Sequence, residues 1–73
     1  RGVDMKVSDI FNEDNIDLDF ITANFNGDYW DSAYKFVAEN WDQEADDITE
    51  KQMLWLIKIK HDCVNERDKE ALR

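Results

Sequence analysis

Apolar residues recur at helical spacing in four places along this chain. Val7, Ile10 and Phe11 share one face of a helix, with Ser8 as the candidate N-cap. A polar break at 12–15 follows. Leu18, Ile21 and Phe25 then stand at i, i+3 and i+7, with Phe20 beside them and Asp17 placed to cap the turn. Both helices are short, and isolated helices of that length do not hold in water, so they must dock on something longer. Residues 28–41 form the third pattern. Trp30, Ala33, Val37 and Trp41 fall on one stripe, and Tyr29 and Phe36 widen it. Asp28 is expected at the N-cap and Asp31 at the third helical position, where carboxylates suit the positive end of the helix dipole. Period-two alternation is missing, which argues against strands.

The fourth pattern has the fullest signature. Thr49 and Gln52 read as a T-x-x-Q capping box, and Ile48 with Met53 as the hydrophobic staple around it. From there the helix can run without a breaker to Leu72. At 100° per residue, Met53, Leu56, Ile57, Ile59, Cys63 and Val64 cover an arc of about 160°. Leu54 and Trp55 lie on opposite flanks, so apolar residues surround most of the helix over 53–59. A helix of that kind is expected at the centre of a domain. Proline is absent, and Gly27 is the single internal glycine, which marks NFNGDY as the main turn. A second break is expected at the polar stretch WDQEADDIT. The fold class predicted is all-α: a small four-helix bundle of two short N-terminal helices and two longer ones, with the last helix central.

Length sets the frame for this pattern. Seventy-three residues make one domain, 1–73, which buries roughly 60% of its unfolded surface and has little stability to spare. Cys63 is alone, so no internal disulfide adds support, and it reads as a small apolar residue on a helix face. No apolar run approaches the ~20 residues of a membrane span, and RGVDMKVSD has no signal-peptide core. A cytoplasmic location is the expectation. Met5 is a candidate natural start after Arg1–Asp4, and the polar stretch 66–73 is expected to fray or project.

Charge changes the picture more than composition does. The net charge is −9, yet it is divided unevenly. Residues 1–50 carry 14 acids and 3 bases, net −11, whereas residues 51–73 carry 4 acids and 6 bases, net +2. An overall excess of acid argues against broad DNA binding, which rests on neutralising phosphates. The nine aromatic residues give too much apolar mass for a disordered acidic tail.

No catalytic motif is present, and the chain reads as a non-enzyme with no cofactor. D-x-E-x-D at Asp42, Glu44 and Asp46 has the start of a calcium loop, but Asp47 stands where glycine is required and Met53 where glutamate is required. His61 and Cys63 diverge by about 200° on a helix and cannot share a metal. Three features stay open for function. Tyr29, Trp30 and Tyr34 adjoin the glycine turn or leave the main stripe, so one or two are candidates for exposed docking. The cations Lys51, Lys58, Lys60, His61 and Arg67 form a group on the last helix. Lys51, Lys58 and Asp62 share its polar gap. Lys60 projects from within the apolar arc, so it either snorkels over the core edge or pairs with an acid from the first half. The acidic surface of residues 1–50 is the third feature, either a solvated complement to the last helix or a carboxylate array that mimics nucleic acid.

The segment YWDSAYKFVAENWDQEADDITEKQMLWLIKIKHDC, about half of the chain, resembles the small acidic proteins encoded beside the UvsW helicase of T-even bacteriophages. That resemblance implies four helices, a bundle likened to the accessory nucleic-acid-binding module of RecQ-type helicases, and a role near phage recombination and repair. It supplies no matched site residues. The net charge departs from that of such a module, which puts direct DNA contact in doubt. The expected partners are a helicase or other recombination protein, with weak contact to branched or single-stranded DNA through Lys51, Lys58, Lys60 and Arg67; the candidate residues for binding nucleic acid or a protein partner are Lys51, Lys58, Lys60, His61, Arg67, Trp30 and Tyr34. The alternative is an acidic mimic that inhibits a nucleic-acid-binding protein.

Overall fold

The structure is a computed structural model that describes residues 5–71; the expectation about a start at Met5 concerns residues outside that span. It is all-α, with four helices and no strand among the described residues. The helices are α1 (Val7–Asn12), α2 (Leu18–Asn24), α3 (Asp28–Glu39) and α4 (Glu50–Ala71), with a 3-10 turn at Ala45–Asp47 before α4.

Helix α1 begins two residues earlier than a cap at Ser8 suggests. Lys6 holds the cap position, and its N–H donates to the Asp9 carboxylate at 3.0 Å. The first-turn N–H groups of Val7 and Ser8 donate instead to the carbonyls of Gln43 and Trp41, both at 3.0 Å. Ala45 N–H donates to Met5 C=O at 2.7 Å, and Lys6 and Glu44 form an isolated antiparallel bridge. Long-range backbone pairing thus does the work that Ser8 was expected to do.

The end of α1 is a Schellman motif. Asn15 takes the left-handed conformation, φ 61°. Ile16 N–H donates to Phe11 C=O at 3.1 Å, and Asn15 N–H to Asn12 C=O at 3.0 Å. Asparagine tolerates that conformation where most residues do not. The motif brings Phe11 and Ile16 together, and both are fully buried.

Asp17 caps α2 as its position predicts, accepting from Phe20 N–H at 2.9 Å. Helix α3 differs from expectation. Its N-cap is Gly27, at φ 108°, so Asp28 occupies the first helical position and Asp31 the fourth. Trp41 lies beyond the helix end, where its ring packs on Phe11 at 5.8 Å between centroids. The capping box of α4 forms in both directions: Gln52 N–H donates to Thr49 Oγ1 at 3.1 Å, and Thr49 N–H to Gln52 Oε1 at 3.2 Å.

Every helix contributes to one core. Val7 and Phe11 come from α1, Ile16 from the turn after it, Ile21 from α2, Ala33 and Val37 from α3, and Leu56, Ile59 and Cys63 from α4. No polar or charged residue among those described is buried. One expectation fails here. Helix α4 is not enclosed all round, because Leu54 is 65% exposed and Ile57 50% exposed. The other helices are too short to wrap it, so α4 buries one face and leaves the opposite one open. Its polar tail keeps helical backbone through Ala71. No described helix is long and apolar enough to cross a membrane.

Candidate docking surfaces on helix α4

The cations singled out in the sequence divide into two groups. Lys60 and Arg67 lie seven residues apart on α4, two helical turns along one face, and both reach the end of α1. Lys60 Nζ is 3.1 Å from Asp14 Oδ2 and 3.7 Å from Glu13 Oε1. The Arg67 guanidinium donates to the backbone carbonyl of Asp14, and lies 3.9 Å from that residue's carboxylate. These two cations therefore cover the negative end of α1, where carbonyls lack helical partners. Of the two roles open to Lys60, the structure shows the pairing with acids from the first half.

Lys51, Lys58 and His61 are exposed on α4. Lys58 meets Asp62 at 3.4 Å, one turn along the helix, and its Nζ lies 5.6 Å from the centroid of the Tyr29 ring. These side chains border the open apolar face of Leu54 and Ile57. Beside it, Ile10, Ile57, Lys60, His61 and Val64 line a shallow groove of about 260 Å³ between α1 and α4.

The aromatic residues form a seam along α3 and α4. Trp30 stacks on Phe25, with centroids 3.9 Å apart and planes 19° from parallel. Tyr29 meets Trp30 edge-on at 5.2 Å. Trp55 stacks on Phe36 at 4.5 Å and donates its indole N–H to Tyr29 Oη at 3.2 Å. Trp30, Tyr34 and Trp55 are all half-buried and packed against the core. Tyr29 is the aromatic that is open to solvent, at 44%, and it stands beside a lysine.

Sequence reasoning missed Leu54 and Ile57 as surface residues. Their positions on the helix were read correctly, but exposure depends on which neighbours exist, and no local signal reports that. Cys63 is fully buried, and burial, followed by the nearby Asp62 charge, pushes its thiol pKa up to about 12. A thiol held neutral in this way is a packing group and a poor nucleophile. Among the described residues, no group of three or more His, Cys, Asp or Glu side chains is placed to hold a metal ion. Comparison with protein-family models, curated proteins and solved structures returned no match to this chain.

Proposed function

We propose that this chain is a non-enzymatic bacteriophage accessory protein, a small four-helix bundle that docks on recombination or repair helicase machinery. The observation that carries the reading is the exposed pair Leu54 and Ile57, three residues apart on α4, bordered by Lys51, Lys58 and His61. Adjacent large apolar side chains on an otherwise charged surface favour a protein contact. The flanking cations suit a segment of the helicase that presents apolar side chains to the pair and carboxylates to the lysines. The resemblance of residues 29–63 to phage proteins encoded beside a helicase supplies the class of partner. Direct contact with branched or single-stranded DNA is the weaker element. Lys60 and Arg67 already face Glu13 and Asp14, which leaves Lys51, Lys58 and His61 to meet phosphates within a −9 molecule. Calorimetric titration of a UvsW-type helicase checks the docking. Leu54→Ser with Ile57→Ser should weaken it at least about tenfold, which is 1.4 kcal/mol. Unchanged affinity in that double variant would sink the reading. Forked DNA at low salt is expected to bind weakly, and Lys51→Ala with Lys58→Ala to abolish what binding there is.

A second reading, acidic mimicry of nucleic acid, is favoured by the exposed carboxylates of Asp9, Asp17, Asp19, Asp28 and Asp31 across α1 to α3. It predicts competition with DNA for a basic partner, fading steeply with salt. Recovery of acidic or neutral partners alone in pull-downs rules it out.

A further inference from the structure

A second groove, of about 560 Å³, runs between the Phe25–Trp30 pair and the far part of α4. One wall is aromatic. The other is carboxylate and amide, from Asp62, Asn65, Glu66 and Asp68, with Lys69 at the rim. We propose that this groove is a docking site, separate from the Leu54–Ile57 face, for an arginine side chain carried on a basic protein segment.

Three observations point to that occupant. First, the aromatic wall is already set. Trp30 is held by the parallel contact with Phe25 and the edge contact with Tyr29, so its orientation needs no rearrangement on binding. A planar guanidinium stacks on such a surface and gains from the ring quadrupole. Second, the opposite wall accepts hydrogen bonds. Carboxylates match the fork of a guanidinium, which a lysine ammonium cannot fill in the same two-pronged way.

Third, the cations that now sit near these carboxylates hold them loosely. Lys69 is 71% exposed and lies 4.0 Å from Glu66, and Lys58 is 65% exposed and lies 3.4 Å from Asp62. Arg67 meets Asp68 at 3.4 Å, through a guanidinium also engaged with Asp14. Exposed pairs of this kind contribute little, and an incoming arginine that also stacks displaces them. The field of a −9 molecule steers basic segments toward the surface as a whole, and the aromatic wall decides where they settle.

The test uses a fluorescein-labelled hexa-arginine peptide in anisotropy titrations of the full chain at low salt. The indole N–H signal of Trp30 is followed by NMR. The wild type should bind and shift that signal. Asp62→Asn with Glu66→Gln, and separately Trp30→Leu, should each weaken binding at least about tenfold. The carboxamide pair leaves the core untouched, so it tests the site independently of the tryptophan variant. Glu39→Gln with Asp42→Asn removes the same charge elsewhere and should change affinity less than about twofold. The Leu54→Ser with Ile57→Ser variant should bind the peptide like the wild type, whatever it does to the helicase. Failure of the wild type to bind overturns the proposal. So does equal weakening by the two carboxamide pairs, since net charge alone then explains attraction. Equal binding of a neutral hexa-citrulline peptide, or loss in the Leu54–Ile57 variant, overturns it too.

Discussion

Cys63 illustrates how a single side chain is assigned its role by its surroundings. In the unfolded chain its thiol ionises near 9.0, and in the fold that value rises to about 12. Below pH 9 both states keep the proton and folding is indifferent to it. Between 9 and 12 the unfolded chain releases a proton that the folded chain retains, so stability falls as pH rises. The slope from this one group reaches up to about 1.4 kcal/mol per pH unit. Urea titrations of wild type and Cys63→Ala from pH 7 to 11 isolate the effect, because lysines and tyrosines are common to both. The advantage of the wild type should shrink above pH 9. A constant difference across that range means the thiol is not shielded. Lys60 shows the same dependence on context. Its place inside an apolar arc was anomalous in the sequence, and the carboxylate of Asp14 accounts for it.

Helix α4 is two-faced, and its leucines differ accordingly. Leu56 is fully buried, and Leu56→Ala should cost about 2–5 kcal/mol, a large share of the stability of so small a domain. Leu54→Ala, two residues away, should stay within about 0.5 kcal/mol. Chemical denaturation of the two variants measures the contrast, and comparable losses mean that α4 is enclosed after all. Much at this scale was legible in advance. The capping box at Thr49 and Gln52, the cap at Asp17 and the helical class all follow from short-range chemistry, which sequence spacing encodes. The start of α3 was off by one because a carboxylate suits either the cap or the first turn, and the positive φ of Gly27 decides between them. The cap at Ser8 failed because the N–H groups of α1 are satisfied by residues 41 and 43, far away in sequence. The open face was misjudged for a related reason, since an arc drawn on one helix does not reveal how far its neighbours extend. Of the candidate site, the cations were found from the sequence, but their division into α1-bound and solvent-facing groups depended on the Schellman turn at Asn15.

At the scale of the whole molecule, α4 sets the shape. Twenty-two helical residues span about 33 Å, most of the 42 Å long axis. The remaining helices cluster against one side of it, and the opposite side carries Leu54, Ile57 and the exposed Lys51 and Lys58. The contacts between residues 5–8 and 41–45 add a constraint of another kind. They join the first described turn to the loop that precedes α4, so the chain from Met5 to Ala45 forms a closed ring that contains α1, α2 and α3. The hydrogen bonds that shut it join residues more than thirty positions apart, and closing it costs entropy that grows with the logarithm of its length. The ring should therefore open as a unit. Amide exchange at Val7, Ser8 and Ala45 is expected to be synchronous despite their separation in sequence, and NMR-detected exchange would show it as matching protection at all three; a much faster Ala45 would mean that the two edges part independently. A cut or a bulky insertion at residues 5–8 then acts at a distance. It unfastens the lead-in to α4 and, with it, the register of every docking residue that follows.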